Sequence, residues 1–350
     1  MAIKNRKSRH LEICQSKAVE FENKTTLFKD IELVYEALPE IDPEEIDLSS
    51  KFLNWDFAVP FFVNSMTGGC DEAEKINIDI ALACEEFNTG MSLGSIRALL
   101  EDFSLLKTYA VKKYAPSIFL SANIGMRQIN KKIYGKLSDT LGKLEADALV
   151  IHINAAQEII QGDKEGSYKN FLPCLKEFCE TFPLPVYVKE VGNGISRETA
   201  SKLATCKIAG LDVGGAGGTS WIKVDSILNS TEEKNRLFYS FGIPTAASIC
   251  ECRPFFPKNL VASGGIRNGL DIVKALLLGA DITALALPVL LAQHQGGNNA
   301  ILNYFKKLCE EIRTTMFLIN ASSIKNLKNK RVILSGELKN WLSQIKITKI

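Results

Sequence analysis

Asn259-Leu-Val-Ala-Ser-Gly-Gly-Ile-Arg267 leads through an amphipathic stretch from Asn268 to Leu278 into Ile282-Thr-Ala-Leu-Ala-Leu287. The stretch reads as strand, glycine turn, helix and strand. Two short apolar runs separated by a helical crossover imply parallel pairing, because the helix returns the chain to the same edge of the sheet. The unit recurs. Earlier strand candidates are residues 58–65, 89–93, 117–123, 148–154, 185–191 and 209–213. Helices are expected over 71–87, 98–113, up to about 144, 168–181, from Ser196, around 246–252 and through 300–312. Eight alternating units are the number that closes a (β/α)8 barrel. An open doubly wound sheet also alternates, but carries its glycine fingerprint after the first strand, whereas here the glycine turns gather after the sixth and seventh. The expected fold is α/β: a (β/α)8 TIM barrel over residues 57–315, with an N-terminal extension, 1–56, and a basic C-terminal extension, 316–350.

Composition sets the outer limits. With 42 Lys and Arg against 40 Asp and Glu in 350 residues, and 46% hydrophobic residues, the chain suits a folded globular protein rather than a disordered one. No apolar run approaches the ~18–20 residues of a membrane span. The net charge of +2 hides an asymmetry. Residues 1–10 carry Lys4, Arg6, Lys7 and Arg9 without an acid, and residues 321–350 carry seven basic side chains against Glu337 alone. Such ends suit solvated tails, nucleic-acid arms or contacts for an anionic small molecule. The start lacks the apolar stretch of a secretory signal, and the nine cysteines are scattered without a CxxC pair. Reduced thiols in a cytoplasmic protein are expected, with neither a disulfide framework nor a zinc site.

In such a barrel the active site collects where strands end and loops begin. The ends read Asn64-Ser-Met-Thr-Gly-Gly69, Leu93-Gly-Ser-Ile-Arg97, Asn123-Ile-Gly125, His152-Ile-Asn-Ala-Ala-Gln-Glu158, Lys189-Glu-Val-Gly-Asn-Gly194, Asp212-Val-Gly-Gly-Ala-Gly-Gly-Thr-Ser220, Ser263-Gly-Gly-Ile-Arg267 and Ala286-Leu287-Pro288. They carry more polar groups than turn chemistry alone requires. Gly264, Gly265, Arg267, Ala286 and Leu287 follow the last two strands, where barrels of this kind bind phosphate through backbone N–H groups. Thr219 and Ser220 add donors. Lys189 shares its face with Tyr187 and Val191 on an apolar strand. A buried ammonium there needs an internal carboxylate or an anionic ligand edge, such as that of a reduced flavin. His152, Asn154, Gln157 and Glu158 gather donors for an anion and one hard oxygen ligand suited to Mg²⁺, which takes one or two carboxylates plus phosphate oxygens.

Together these segments resemble the FMN-dependent type 2 isopentenyl-diphosphate delta-isomerases. The match runs in order through Arg6-Lys-Ser-Arg-His10, Ser65-Met-Thr-Gly-Gly69, Gly94-Ser-Ile-Arg97, Ala122-Asn-Ile-Gly125, His152 to Glu158, Val188-Lys-Glu-Val-Gly-Asn-Gly-Ile-Ser196, Asp212 to Trp221 and Ala262 to Asp271. The resemblance implies a barrel of the FMN-binding type. It also implies isomerisation of isopentenyl diphosphate to dimethylallyl diphosphate by a 1,3-allylic proton shift, in isoprenoid biosynthesis. The cofactors implied are reduced FMN and Mg²⁺, with NADPH or NADH as reductant. By motif, Ser65, Met66, Thr67, Ser95, Asn123, Lys189, Thr219, Gly264, Gly265, Arg267, Ala286 and Leu287 would hold FMN. Arg6, Lys7, His10, Ser95, Arg97, Asn154 and Gln157 would hold the diphosphate substrate, and Glu158 the Mg²⁺. His152, Gln157 and Thr67 would stand at the reacting atoms. An arm bearing Arg6 and Lys7 that reaches a neighbouring subunit implies a homo-oligomer, a tetramer or octamer. After Glu158 the chain reads Ile159-Ile-Gln-Gly-Asp-Lys-Glu-Gly166, without the arginine usual in the family.

The alternative on the same barrel is an FMN-dependent 2-hydroxy-acid oxidase or dehydrogenase. That chemistry needs a histidine base beside an arginine on the loop after the seventh strand, yet the late histidine is His294, beyond the eighth. An inosinate-type dehydrogenase would need a cysteine within 214–221, where none occurs. A nucleic-acid binder using the basic ends is disfavoured, because Val332-Ile-Leu334 and Trp341-Leu342 read as a docked helix rather than a salt-sensitive arm.

Overall fold

Along eight short strands alternate side chains face the same way, and this period of two separates an inward column from an outward one. The computed structural model describes residues 3–162 and 168–346, so part of the 159–166 stretch lies outside the described residues. The strands are β1 (Ile31–Leu33), β2 (Ser50–Phe52), β3 (Trp55–Phe57), β4 (Phe61–Val63), β5 (Gly90–Ser95), β6 (Phe119–Gly125), β7 (Ala148–Ile153), β8 (Val186–Glu190), β9 (Gly210–Asp212), β10 (Asn259–Ser263), β11 (Ile282–Leu285) and β12 (Val332–Leu334). Strands β4 to β11 form a closed parallel barrel, with β11 returning to β4 through Ala284 opposite Phe62. The (β/α)8 barrel expected from eight alternating runs is the fold formed.

Outward residues such as Val63, Leu120, Leu149, Val188 and Leu260 are buried in the main apolar core. Inward residues Phe62, Phe119, Val150, Tyr187 and Val261 fill the lower barrel. Two residues further along the same strands stand Asn64, Ser121, His152, Lys189 and Ser263, so the interior passes from rings through hydroxyls to charge. At the transition the Tyr187 and Ser121 hydroxyls lie 2.7 Å apart.

The lower mouth is stoppered by the β2–β3 hairpin. Its turn residues Leu53 and Asn54 both have positive φ (49° and 68°), the two-residue geometry whose twist suits a hairpin. The Phe52 ring stacks on Phe62 at 5.6 Å and meets Tyr187 edge-on at 5.4 Å.

At the upper mouth the chain ahead of β1 lies across the glycine-rich loop after β9: Phe21 N–H donates to Gly218 O, and Ser220 N–H to Val19 O. This strap is fastened from the far side of the sequence. β1 pairs antiparallel with β12, Ile31 opposite Leu334, and the Asp30 carboxylate accepts the Leu338 N–H at 3.0 Å. Residues 332–334 are therefore a strand, where a docked helix was expected. The helix is Gly336–Gln344, and its Trp341 Nε1–H donates to Glu251 at 2.7 Å.

Several expected connections are corrected for local reasons. The helix expected over 98–113 stops at Glu101, because Asp102 turns extended and its carboxylate caps the Ser104 N–H, starting a separate 3₁₀ segment, Phe103–Thr108. The helix expected from residue 168 begins at Phe171, and a short one, Ala155–Gln161, precedes it. The polar connection after β9 contains the helix Trp221–Asn229, capped by Ser220. β11 ends at Leu285, so Leu287 already opens the next helix, Leu287–Leu318, which breaks at Gly296 and Gly297. Among the described residues no helix is long and apolar enough to cross a membrane. All nine cysteines are free thiols.

Candidate active site

The strand ends and the N-terminal helix Ile3–Ser16 enclose a cavity of about 260 Å³ at the upper mouth. Every site residue expected from the sequence lines it. The helix supplies Arg6, Lys7 and His10. The loop after β4 supplies Ser65, Met66 and Thr67; the end of β5 brings Ser95 and Arg97, and β6 brings Asn123. His152, Asn154, Gln157 and Glu158 come from β7 and the helix after it, and Lys189 from β8. Thr219 follows β9; Gly264, Gly265 and Arg267 follow β10; Ala286 and Leu287 follow β11.

His152 is held neutral. Burial, aided by the positive charges of Lys189 and Lys7, pulls its pKa down to about 3. Asn123 uses its amide N–H to reach Ser65 Oγ at 2.9 Å, which leaves Asn123 Oδ1 to accept from His152 Nδ1 at 2.6 Å. The ring proton therefore sits on Nδ1, and Nε2 is left with a lone pair.

Lys189 donates to Glu190 O at 2.7 Å. Burial lowers its pKa, opposed by the charges of Asp212 and Glu190. The Glu190 carboxylate turns away to accept three backbone N–H groups, Val191 at 2.6 Å, Gly192 at 2.7 Å and Asn193. Burial nonetheless pushes the Glu190 carboxyl up to about 7. Lys7 is an anchor as well as a wall. Its Nζ donates to Ser95 O at 2.7 Å, to the Tyr109 hydroxyl at 2.9 Å and to Gly68 O, pinning the N-terminal helix to the loops after β4 and β5. Its burial lowers its pKa to about 7.

At the far end three backbone segments meet with no room for side chains. A Cβ at Gly218 would strike Gly265 N, one at Gly265 would strike Thr26, and one at Gly264 would strike Gly215 O. Arg267 stands beside this cradle and pairs with Glu20 of the strap, Nε to Oε1 at 3.0 Å. A cradle of backbone N–H groups with a guanidinium alongside fits a phosphate monoester. At the opposite end Glu158 lies 3.3 Å from Arg127 Nη1, and the buried Asn154 Oδ1 has no partner. No cluster of three potential metal-binding side chains occurs among the described residues. One carboxylate and a spare amide oxygen still suit Mg²⁺, whose other ligands are ordinarily phosphate oxygens and water.

The sequence did not mark Asn64, Asp212, Glu190, Arg127 or Asp225 as site residues. Asn64, Asp212 and Glu190 lie in the polar strand ends and were legible from inward parity or buried charge. Arg127 and Asp225 were not, since each sits in a connection expected to have another conformation. His10 meets Asp225 at 2.8 Å and the Trp221 ring edge-on at 5.3 Å.

Residues 170–334 match the FMN-dependent dehydrogenase family. The chain is 38% identical over 350 residues to the isopentenyl-diphosphate delta-isomerase of Pyrococcus abyssi, covering 97% of this chain and 94% of that protein. It is 37% identical over 352 residues to the protein of the same name from Methanococcoides burtonii, covering 98% and 96%. Among solved structures it resembles the flavin-binding domain of baker's yeast flavocytochrome b2, with TM-score 0.71 and 18% identity, covering 98% of this chain and 84% of that one. A Pediococcus acidilactici protein titled "(Putative)lactate oxidase" gives TM-score 0.69 at 18% identity, covering 95% and 94%. At such identities these two likenesses speak for the fold alone.

Proposed function

The chain belongs to the isopentenyl-diphosphate delta-isomerase family, and on that premise we propose that it interconverts isopentenyl diphosphate and dimethylallyl diphosphate with reduced FMN and Mg²⁺. The observation that carries this reading is the convergence on one cavity of a phosphate cradle, the buried Lys189 and a neutral His152. The reaction adds a proton to one carbon, removes one from another and moves the double bond, with no net redox change. Neither carbon is acidic enough for an ordinary side-chain base. Reduced FMN, when bound, supplies the acid–base centre that the side chains lack, after reduction by NADPH or NADH.

The protein's own groups bind, orient and exclude water. The cradle of Gly264 and Gly265 with Arg267 and Thr219 holds the cofactor phosphate, and Lys189 meets the anionic edge of its ring. His152 keeps its proton on Nδ1 and offers Nε2 as an acceptor, while Gln157 is steadied by the Asn154 amide, which donates to its Oε1 at 3.0 Å. Arg6, His10 and Arg97 supply positive or donor groups for the diphosphate, and Glu158 supplies a carboxylate for Mg²⁺. The N-terminal helix covers the cavity and limits entry of water. Assembly of the chain as a homo-oligomer completes the reading. The 2-hydroxy-acid oxidase alternative shares the FMN-dependent dehydrogenase match and the fold, but its histidine base is missing from the site, since His294 is exposed on the helix after β11 and does not line the cavity.

The test is anaerobic incubation of the FMN-loaded protein, bleached with NADPH or dithionite, with labelled isopentenyl diphosphate and Mg²⁺. Dimethylallyl diphosphate is expected; no product from fully reduced enzyme would overturn the reading. Glu158→Gln is expected to abolish Mg²⁺-dependent turnover while FMN binding is kept. Loss of FMN instead would reassign Glu158.

A further inference from the structure

Resting on the flavin reading above, we propose that Asp212 is a positioning residue for the cofactor site: its carboxylate, sealed beneath the cavity floor, keeps the Lys189 ammonium charged and aimed at the flavin. Asp212 has no exposed surface and does not itself line the cavity. It accepts hydrogen bonds from Asn64 Nδ2 at 2.7 Å, Ser263 Oγ at 2.6 Å and Gly214 N–H at 3.1 Å, which join the ends of β4, β9 and β10. All three donors are neutral. They hold the carboxylate in place but leave its charge without a cation, a costly state in a barrel interior.

Lys189 supplies that cation. It is the register partner of Asp212 across β8 and β9, and both point into the barrel. Neighbouring strands lie about 4.8 Å apart, so the two side chains rise from backbones one strand spacing apart, and their charges act on each other through space without a direct ion pair. Of the other groups around Lys189, His152, its register partner on β7, is neutral, and Glu190 adds a negative charge of smaller effect than that of Asp212 while spending its carboxylate hydrogen bonds on its own loop. Burial lowers the Lys189 pKa and raises that of Asp212, and each charge counters the shift in the other, while the N–H bonds not used on Glu190 O remain for the cofactor edge. A fixed counter-charge of this kind lowers the reorganisation needed on binding.

The experiment is FMN titration of the full chain at pH 7 and pH 9 in four forms: wild type, Asp212→Asn, Lys189→Gln and the double variant. Asp212→Asn is expected to weaken FMN binding about tenfold or more, with a further loss at pH 9 as the unsupported Lys189 gives up its proton, and to shift the visible flavin spectrum. In the Lys189→Gln background the same change is expected to do almost nothing, because residues acting through one another are not additive. An equal loss in both backgrounds, or an unaltered affinity and spectrum in Asp212→Asn, would overturn the proposal. Circular dichroism and thermal unfolding report folding separately. Should Asp212→Asn fold poorly, the exchange pair Asn64→Asp with Asp212→Asn keeps a carboxylate–amide hydrogen bond but moves the charge off β9, and must show the same FMN loss. Failure of the wild type to bind FMN would sink the flavin reading itself, an outcome distinct from indifference to Asp212.

Discussion

Replacing His152 with glutamine is expected to lower isomerase turnover by about 10²–10⁴-fold while leaving FMN bound. A glutamine amide can still donate to Asn123 Oδ1, so the Asn123–Ser65 chain is kept. What is lost is the imidazole Nε2 lone pair facing the cavity. The same variant has a signature in stability. The native ring titrates near pH 3, against 6.5 for an ordinary histidine. As the pH falls from about 6.5 toward 3 the unfolded chain takes up a proton that the native state refuses. Stability is therefore lost on acidification, at about 1.4 kcal/mol per pH unit from this group. Urea unfolding of wild type and His152→Gln between pH 6 and pH 4 is expected to show slopes differing by about one proton, the variant being the flatter. Identical slopes would mean that His152 is not held neutral.

The second large effect is expected from Gly264→Ala. Gly264 has φ of +98°, and an added Cβ would run into the Gly215 carbonyl oxygen. Neither neighbour can yield cheaply. Gly215 N–H donates to Ser263 O at 2.8 Å, and Gly264 O accepts from Thr245 Oγ1 at 2.6 Å, so both turns are tied at the backbone. The strain alone costs on the order of 1–3 kcal/mol, and relief requires the loop after β9 to move off the turn after β10. That movement opens the phosphate cradle. FMN affinity is expected to fall more than about 100-fold, equivalent to roughly 2.7 kcal/mol, with a lower melting temperature for the flavin-free protein. Unchanged FMN affinity in a folded variant would remove these turns from the phosphate site.

Much of the barrel was legible because its strands are short, apolar and evenly spaced, and because inward and outward columns obey a period that survives in the sequence. The pair Tyr187 and Lys189 shows this: parity alone placed a lysine inside an apolar wall. The site was legible where it sits at strand ends, as with Asn123, His152 and Gly264. It was not legible where a distant segment completes it. Glu20 reaches Arg267 from 247 positions away, and no local pattern announces such a partner. The β2–β3 hairpin carries no local signature because its turn uses Leu53 and Asn54 rather than a glycine, and β12 carries none because a three-residue strand has no periodicity to read. Asp102 ended a helix that the spacing of apolar residues would have continued, since a capping side chain outweighs a few tenths of a kcal/mol of propensity.

The ribbon of β1 with β12 also dictates an order of events during synthesis. Asp30 and Leu338 are 308 positions apart. At about 5–20 residues per second a ribosome needs some tens of seconds to pass from one to the other. Through that interval the strap over the cradle has its first half but not its fastening, and a contact of such long range also adds to the time needed to fold. The nascent barrel can close its eight strands before then, yet the lid of its phosphate end is secured last. The segment lying across the glycine-rich loop after β9 is thereby the last neighbour of that loop to be fixed, after the scaffold beneath it is already built.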